Sequence, residues 1–233
     1  ALHVDLEDLI RRKWAIGTLA TVGVLMSTAL IGYATFLVTG LAGLEVPLIW
    51  CLVFGALISP TDPIAVLGIL KRLDVPQSLE AKIAGESLFN DGVGVVVFTI
   101  MVAIALGGEA GGASLSALDV AKLFVLEAVG GAILGLAAGY IAYRAMKSID
   151  EYALEVIITL ALVMLTYAVA IQLHVSGPIA MVVAGLLIGN HGTRFAMSEV
   201  TRDHVKKFWS LLDEILNSLL FLAIGFEVVA LTF

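Results

Sequence analysis

Two short stretches carry oxygen-bearing side chains at spacings that could bind a cation or a proton. The first is Ser59-Pro60-Thr61-Asp62-Pro63, and the second, starting 26 residues later, is Gly85-Glu86-Ser87-Leu88-Phe89-Asn90-Asp91-Gly92. Pro60 and Pro63 each lack an amide donor and crowd the preceding turn, so the pair is expected to break a helix and free main-chain carbonyls. In the second stretch Ser87 and Asp91 are four apart and share a helix face, while Glu86 and Asn90 share a neighbouring one. Two carboxylates, hydroxyls and carbonyls form an all-oxygen set, which suits a hard cation such as Na+. Burial beside a second carboxylate also favours the protonated form. Such a site can hold either a proton or a metal ion and releases one by taking the other. Simpler roles exist for parts of it. Asp62 can cap the half-helix after a proline kink, and Ser87, Asn90 and the glycines can glue helices together. Neither role accounts for both Asp62 and Asp91.

The elements that must position these residues are membrane helices. The 233 residues are 60% hydrophobic and 14% charged, with a mean hydropathy of +1.04; soluble domains run at about 45–50% apolar and about 25% charged. A crossing takes roughly 20 apolar residues, and seven stretches are candidates: 14–39, 46–70, 83–106, 120–143, 153–173, 177–190 and 208–231. The sixth would reach only about 21 Å as a helix. Of the 13 lysines and arginines, 12 fall in alternate connections: Arg11, Arg12 and Lys13; Lys71, Arg72 and Lys82; Arg144 and Lys147; Arg194, Arg202, Lys206 and Lys207. Positive charge collects on the cytoplasmic side, so residues 1–13 are expected in the cytoplasm. The fold class is an all-α polytopic membrane protein of about seven transmembrane helices, one of them broken. The Gly-, Ala- and Ser-rich 107–118 stretch is expected to be a flexible external connection.

This topology brings the two stretches together. Asp62 lies eight residues before the second span leaves the cytoplasmic side near Leu70, and Asp91 lies eight residues after the third enters near Ile83. At 1.5 Å per residue both carboxylates sit about 12 Å deep. Intramembrane acids at one depth on neighbouring helices are costly unless they face a protein interior or an ion path.

Other conspicuous residues have structural readings. Glu127 lies near Lys122 at an interface. Asp213 and Glu214 are expected in the first turn of the last span, where the helix dipole favours acids, and Glu227 near its outer end. His174 and His191 are interfacial. Gly130, Gly131, Gly135 and Gly139 allow close helix packing. Cys51 is a small hydrophobe in an apolar run. No basic stripe calls for nucleic acid, and no cofactor is expected beyond transported ions.

The paired strings at 59–63 and 85–92, together with Phe221-Leu-Ala-Ile-Gly-Phe-Glu227, resemble the sodium/proton antiporters, in particular the prokaryotic electroneutral members of the cation/proton antiporter family. The likeness covers the whole chain. It implies that Asp91 is the ion-binding aspartate, that Asp62 is the acid of the unwound helix, and that Thr61 and Ser87 supply further oxygens for Na+. Asn90 matches a position where the electrogenic branch carries a second aspartate, which implies exchange of one sodium for one proton. Glu86 matches an acid that pairs with an arginine on a later helix, a helix this stretch does not contain. The resemblance further implies a homodimer in the plasma (inner) membrane of a prokaryote. Residues 14–106 would form the first half of the ion-translocating core, 119–146 a linker helix, and 152–231 the interface helices. Both ends adjoin apolar spans, so a fragment of a longer inverted-repeat fold, not transporting alone, is expected. A passive cation channel remains an alternative, as does an intramembrane aspartyl protease, in which two aspartates share a proton. A protease would be expected to carry a Gly-x-Gly-Asp string, and none occurs. No enzymatic activity is expected.

Overall fold

The computed structural model describes residues 6–61, 77–109, 117–193 and 196–230. Every regular element among them is helical, which follows from the apolar sequence: in hydrocarbon the backbone must satisfy its own hydrogen bonds. The helices are α1 (Leu6–Arg11), α2 (Lys13–Leu41), α3 (Leu48–Ile58), α4 (Gln77–Glu109), α5 (Ala117–Met146), α6 (Tyr152–Leu173), α7 (Gly177–Gly192) and α8 (Glu199–Ala230).

Among the described residues four segments are long and apolar enough to cross a membrane: α2, Lys82–Gly107 of α4, Leu118–Met146 of α5, and α6. The expected count was about seven, and the three others differ for separate reasons. α3 is regular only to Ile58, and residues 62–70 of that span lie outside the described residues. α7 is short, as its sequence implied. α8 is 32 residues long, yet Asp213, Glu214 and Glu227 interrupt its apolar half.

α8 also corrects the dipole reading of Asp213 and Glu214. The helix begins at Glu199, where the Ser198 hydroxyl accepts the Thr201 N–H at 3.3 Å. The two acids therefore lie several turns inside, beyond the first turn to which the dipole effect is confined. Both are exposed.

The lead-in is more ordered than a polar tail. In α1 Leu9 is buried, and the Leu6 N–H donates to Asn190 Oδ1 at 2.9 Å. Leu9 and Ile16 pack with Val182 and Leu186 of α7, with Leu88 and Phe89 of α4 against them. The spacing of Leu6 and Leu9 puts both on one helix face, and that face docks.

The glycines of α5 act as expected. A Cβ on Gly131 would come 2.5 Å from the Ser176 carbonyl oxygen, and one on Gly135 would come 2.3 Å from that of Ala180. Only a hydrogen at these positions lets α5 lie against α7. Ser176 caps α7 by accepting the Ile179 N–H at 3.3 Å, with a proline in the first turn. Its own N–H donates to the Glu127 carbonyl at 3.1 Å. α6 ends on His174 in the left-handed region (φ 53°), and the Val175 N–H closes onto the Ala170 carbonyl at 3.0 Å.

Candidate cation and proton site

The site begins where α3 stops. Pro60 cannot donate to the helix ladder, and regular helix ends at Ile58. The break is tied down rather than loose. Ser59 Oγ–H donates to the Gly55 carbonyl at 2.6 Å, and its oxygen lies 3.1 Å from Thr28 Oγ1 of α2. On the other side α4 passes close, because a Cβ on Gly94 would fall 2.2 Å from Pro60 Cγ.

Thr61, one residue past the proline, has left the helix, and its backbone and side chain both turn to α4. Its carbonyl accepts the Ser87 hydroxyl at 2.5 Å. Its Oγ1 accepts Asn90 Nδ2–H at 2.8 Å and lies 3.4 and 3.5 Å from the two Glu86 carboxylate oxygens. Asn90 Nδ2 also donates to Glu86 Oε1 at 2.9 Å. A helix broken inside a membrane must find partners for its freed backbone, and here a hydroxyl one helix away supplies one.

Ser87 and Asn90 are 2% and 1% exposed. Asn90 Oδ1 is buried and has no hydrogen-bond partner among the described residues, so it adds a spare acceptor to the oxygen set. The faces divide differently from the sequence expectation. Ser87, Asn90 and Glu86 together meet Thr61, whereas Asp91 lies on the exposed side of α4. Asp62 and Pro63 lie outside the described residues, and with them the juxtaposition of Asp62 and Asp91. Glu86, for which the resemblance implied an arginine, is held here by neutral donors.

The oxygens gathered at this point are the Thr61 carbonyl and hydroxyl, the Ser87 hydroxyl, the Glu86 carboxylate and Asn90 Oδ1. Among the described residues no three His, Cys, Asp or Glu side chains converge as a metal centre would require. The oxygens are thus a mixture of main-chain carbonyl, hydroxyl, amide and carboxylate.

The profile of the sodium/hydrogen exchanger transmembrane family matches residues 1–233. This chain belongs to the sodium/hydrogen exchanger family. The chain is 56% identical over its full length to the Na(+)/H(+) antiporter NhaP of Pseudomonas aeruginosa, covering 54% of that protein. It is 38% identical over 228 residues to the Na(+)/H(+) antiporter NhaH of Halobacillus dabanensis, and 33% identical over 232 residues to ApNhaP of Aphanothece halophytica, covering 55% and 42% of them. The chain thus spans about half the length of the curated relatives it matches. Within this exchanger chain the helix break and the polar face of α4 stand together.

One buried acid escaped sequence reasoning. Glu155 of α6 is 0% exposed, with both carboxylate oxygens lacking a hydrogen-bond partner among the described residues. A signal existed: Glu155, Thr159, Thr166 and Ala170 are the buried residues of α6 and follow one helix face.

Proposed function

We propose that the full-length protein exchanges sodium for protons by alternating access at a site formed by Asp91 and Asp62 with Thr61 and Ser87. The observation that carries this reading is the Ser87 hydroxyl on the freed carbonyl of Thr61. It joins the broken helix to the Glu86, Ser87 and Asn90 side of α4 and gathers oxygens at one point. Asp91, exposed on this chain, would present its carboxylate to that cluster from the side from which an ion arrives. A hard monovalent cation then displaces the carboxyl proton, and protonation expels the cation. That competition couples the two fluxes without a separate gate for each.

The finer points follow from the same argument. Asn90, neutral where a carboxylate would add a charge, favours exchange of one sodium for one proton. The membrane is the plasma membrane of a prokaryote, with residues 1–13 on the cytoplasmic side where lysine and arginine collect. Residues 14–106 form the first half of the ion-carrying core and 119–146 a linker. The exposed apolar side chains of α8, among them Leu211, Ile215, Leu219 and Leu222, suit an interface with a second copy within 152–231.

The test is proton flux in proteoliposomes holding the full-length protein across a sodium, lithium and potassium series. Asp91→Asn abolishes cation-dependent proton movement. Exchange at the wild-type rate in that variant would remove Asp91 from the site, and cation flux uncoupled from pH would point to a channel.

A further inference from the structure

Glu155 sits in the first turn of α6, near the α5–α6 connection with Arg144 and Lys147 and the start of α8 with Arg202, Lys206 and Lys207. An ionised carboxylate buried without a counter-charge or hydrogen bond is so unfavourable that such a group neutralises instead. Glu155 has neither resource among the described residues: its side chain is fully buried and both oxygens are unpartnered.

Two of the cations nearby are paired along α8, and no ion pair to Glu155 occurs among the described residues. The elements packed on α6 are α5, α7 and α8. The α5 end contributes Arg144 and Lys147, with Asp150 and Glu151 in the connection; α7 ends with His191. α8 contributes Glu199, Arg202, Asp203, His204, Lys206 and Lys207. Lys207 lies 2.7 Å from Asp203 and Arg202 lies 3.9 Å from Glu199, both pairs along α8 itself. His204 Nδ1 is 2.7 Å from the Val200 carbonyl, and its ring faces Tyr152. Arg194 lies outside the described residues. Asp150, five residues before Glu155, carries a charge of the same sign.

We propose that Glu155 is a second proton-binding site, separate from the one at Thr61 and Ser87, and that its carboxyl group carries a proton in this packed arrangement. The contacts that close it are specific. Trp209 Nε1–H donates to Thr159 Oγ1 at 3.0 Å, one turn along the buried face of α6. Thr201 Oγ1, itself bridged to Ser198, lies 3.5 Å from Asp150 Oδ1. When those contacts part, water reaches Glu155, the proton leaves to that water, and the start of α8 can close again only by burying the new charge beside Asp150, so the ionised form holds the contact open. The proton is the only species exchanged, so no co-reactant is needed.

The test uses the full-length protein and Glu155→Gln, which keeps the shape of the protonated acid and cannot ionise. Infrared difference spectra across a pH titration should show a carbonyl stretch from a protonated carboxyl group that Glu155→Gln removes and Asp91→Asn leaves. In vesicles, Glu155→Gln should keep its maximal exchange rate while its pH profile becomes shallower by one proton. The infrared readout stands whether or not the exchange proposed above is correct. A band that persists in Glu155→Gln overturns the proposal. So does failure of Glu155→Gln to fold, since that would mean the negative charge is required.

Discussion

The side-chain nitrogen of Asn90 lies 2.9 Å from Glu86 Oε1 and 2.8 Å from Thr61 Oγ1, so one amide joins an acid of α4 to the broken end of α3. Both bonds depend on the hydrogens of the amide. A carboxylate there would offer no hydrogen and would meet Glu86 one turn away.

Asn90→Asp should therefore destabilise the protein at neutral pH. Two charges at about 4 Å repel by up to roughly 4 kcal/mol at an effective dielectric of about 20. The loss should shrink as pH falls, because protonating one of the two acids removes the repulsion and restores a donor. Thermal unfolding of wild type and variant across pH reads this directly. A pH-independent difference would rule out the charge argument. The same variant, assayed in vesicles under an imposed voltage, tests whether the added charge makes exchange voltage-sensitive.

Ser87→Ala removes the hydroxyl from the Thr61 carbonyl. Losing a hydrogen bond of this kind costs about 0.5–1.5 kcal/mol. Part of that loss should appear in the ion site, because the carbonyl is then no longer held in place. We expect a lower unfolding temperature and a sodium half-saturation raised on the order of tenfold, the equivalent of about 1.4 kcal/mol. Unchanged sodium dependence would separate the hydroxyl from the ion.

Gly94→Ala places a methyl group 2.2 Å from Pro60 Cγ and 3.2 Å from Pro60 Cδ. The proline ring is rigid, so α4 must move away from the break, at about 1–3 kcal/mol for overpacking. Gly107→Ala is the matched control on the same helix, since nothing lies within 4 Å of its Cβ; it should be neutral or slightly stabilising. Thermal unfolding of the two variants side by side decides the point, and equal effects would show that the close approach does not matter.

His174→Gly should stabilise the chain by about 1 kcal/mol. His174 caps α6 with φ 53°, a conformation glycine adopts without the Cβ clash that other residues bear. Its side chain is exposed, so little packing is lost. His174→Ala keeps the strain and should show no gain in the same unfolding assay.

Several features were open to sequence reasoning because their causes are local. The end of regular helix before Pro60 follows from a missing amide and a ring clash. The close fit of Gly131 and Gly135 against α7 follows from four-residue spacing, which keeps small residues on one helix face. Other features depend on what lies across the bundle. That Leu9 docks on Val182 and Leu186 could not be read from residues 1–13, because a short segment of mixed polar and apolar residues is compatible with a free tail. The start of α8 at Glu199 was hidden for a related reason. Its first turns are charged and amphipathic, and a search for apolar runs begins too late.

The sequence by itself determined that this is a helical membrane chain, that a helix breaks near Pro60, and that the acidic face of the third span follows 26 residues later. Those follow from hydropathy, proline chemistry and the period of the helix, none of which needs a partner. Only the tertiary structure decided how the oxygens are shared. Ser87 spends its hydroxyl on the Thr61 carbonyl, Asn90 bridges Glu86 and Thr61, Asp91 remains on the exposed side, and Glu155 is sealed away from every donor described. Hydrogen-bond pairing and burial depend on which helix faces meet, and that is settled by packing across the bundle, not by spacing along the chain.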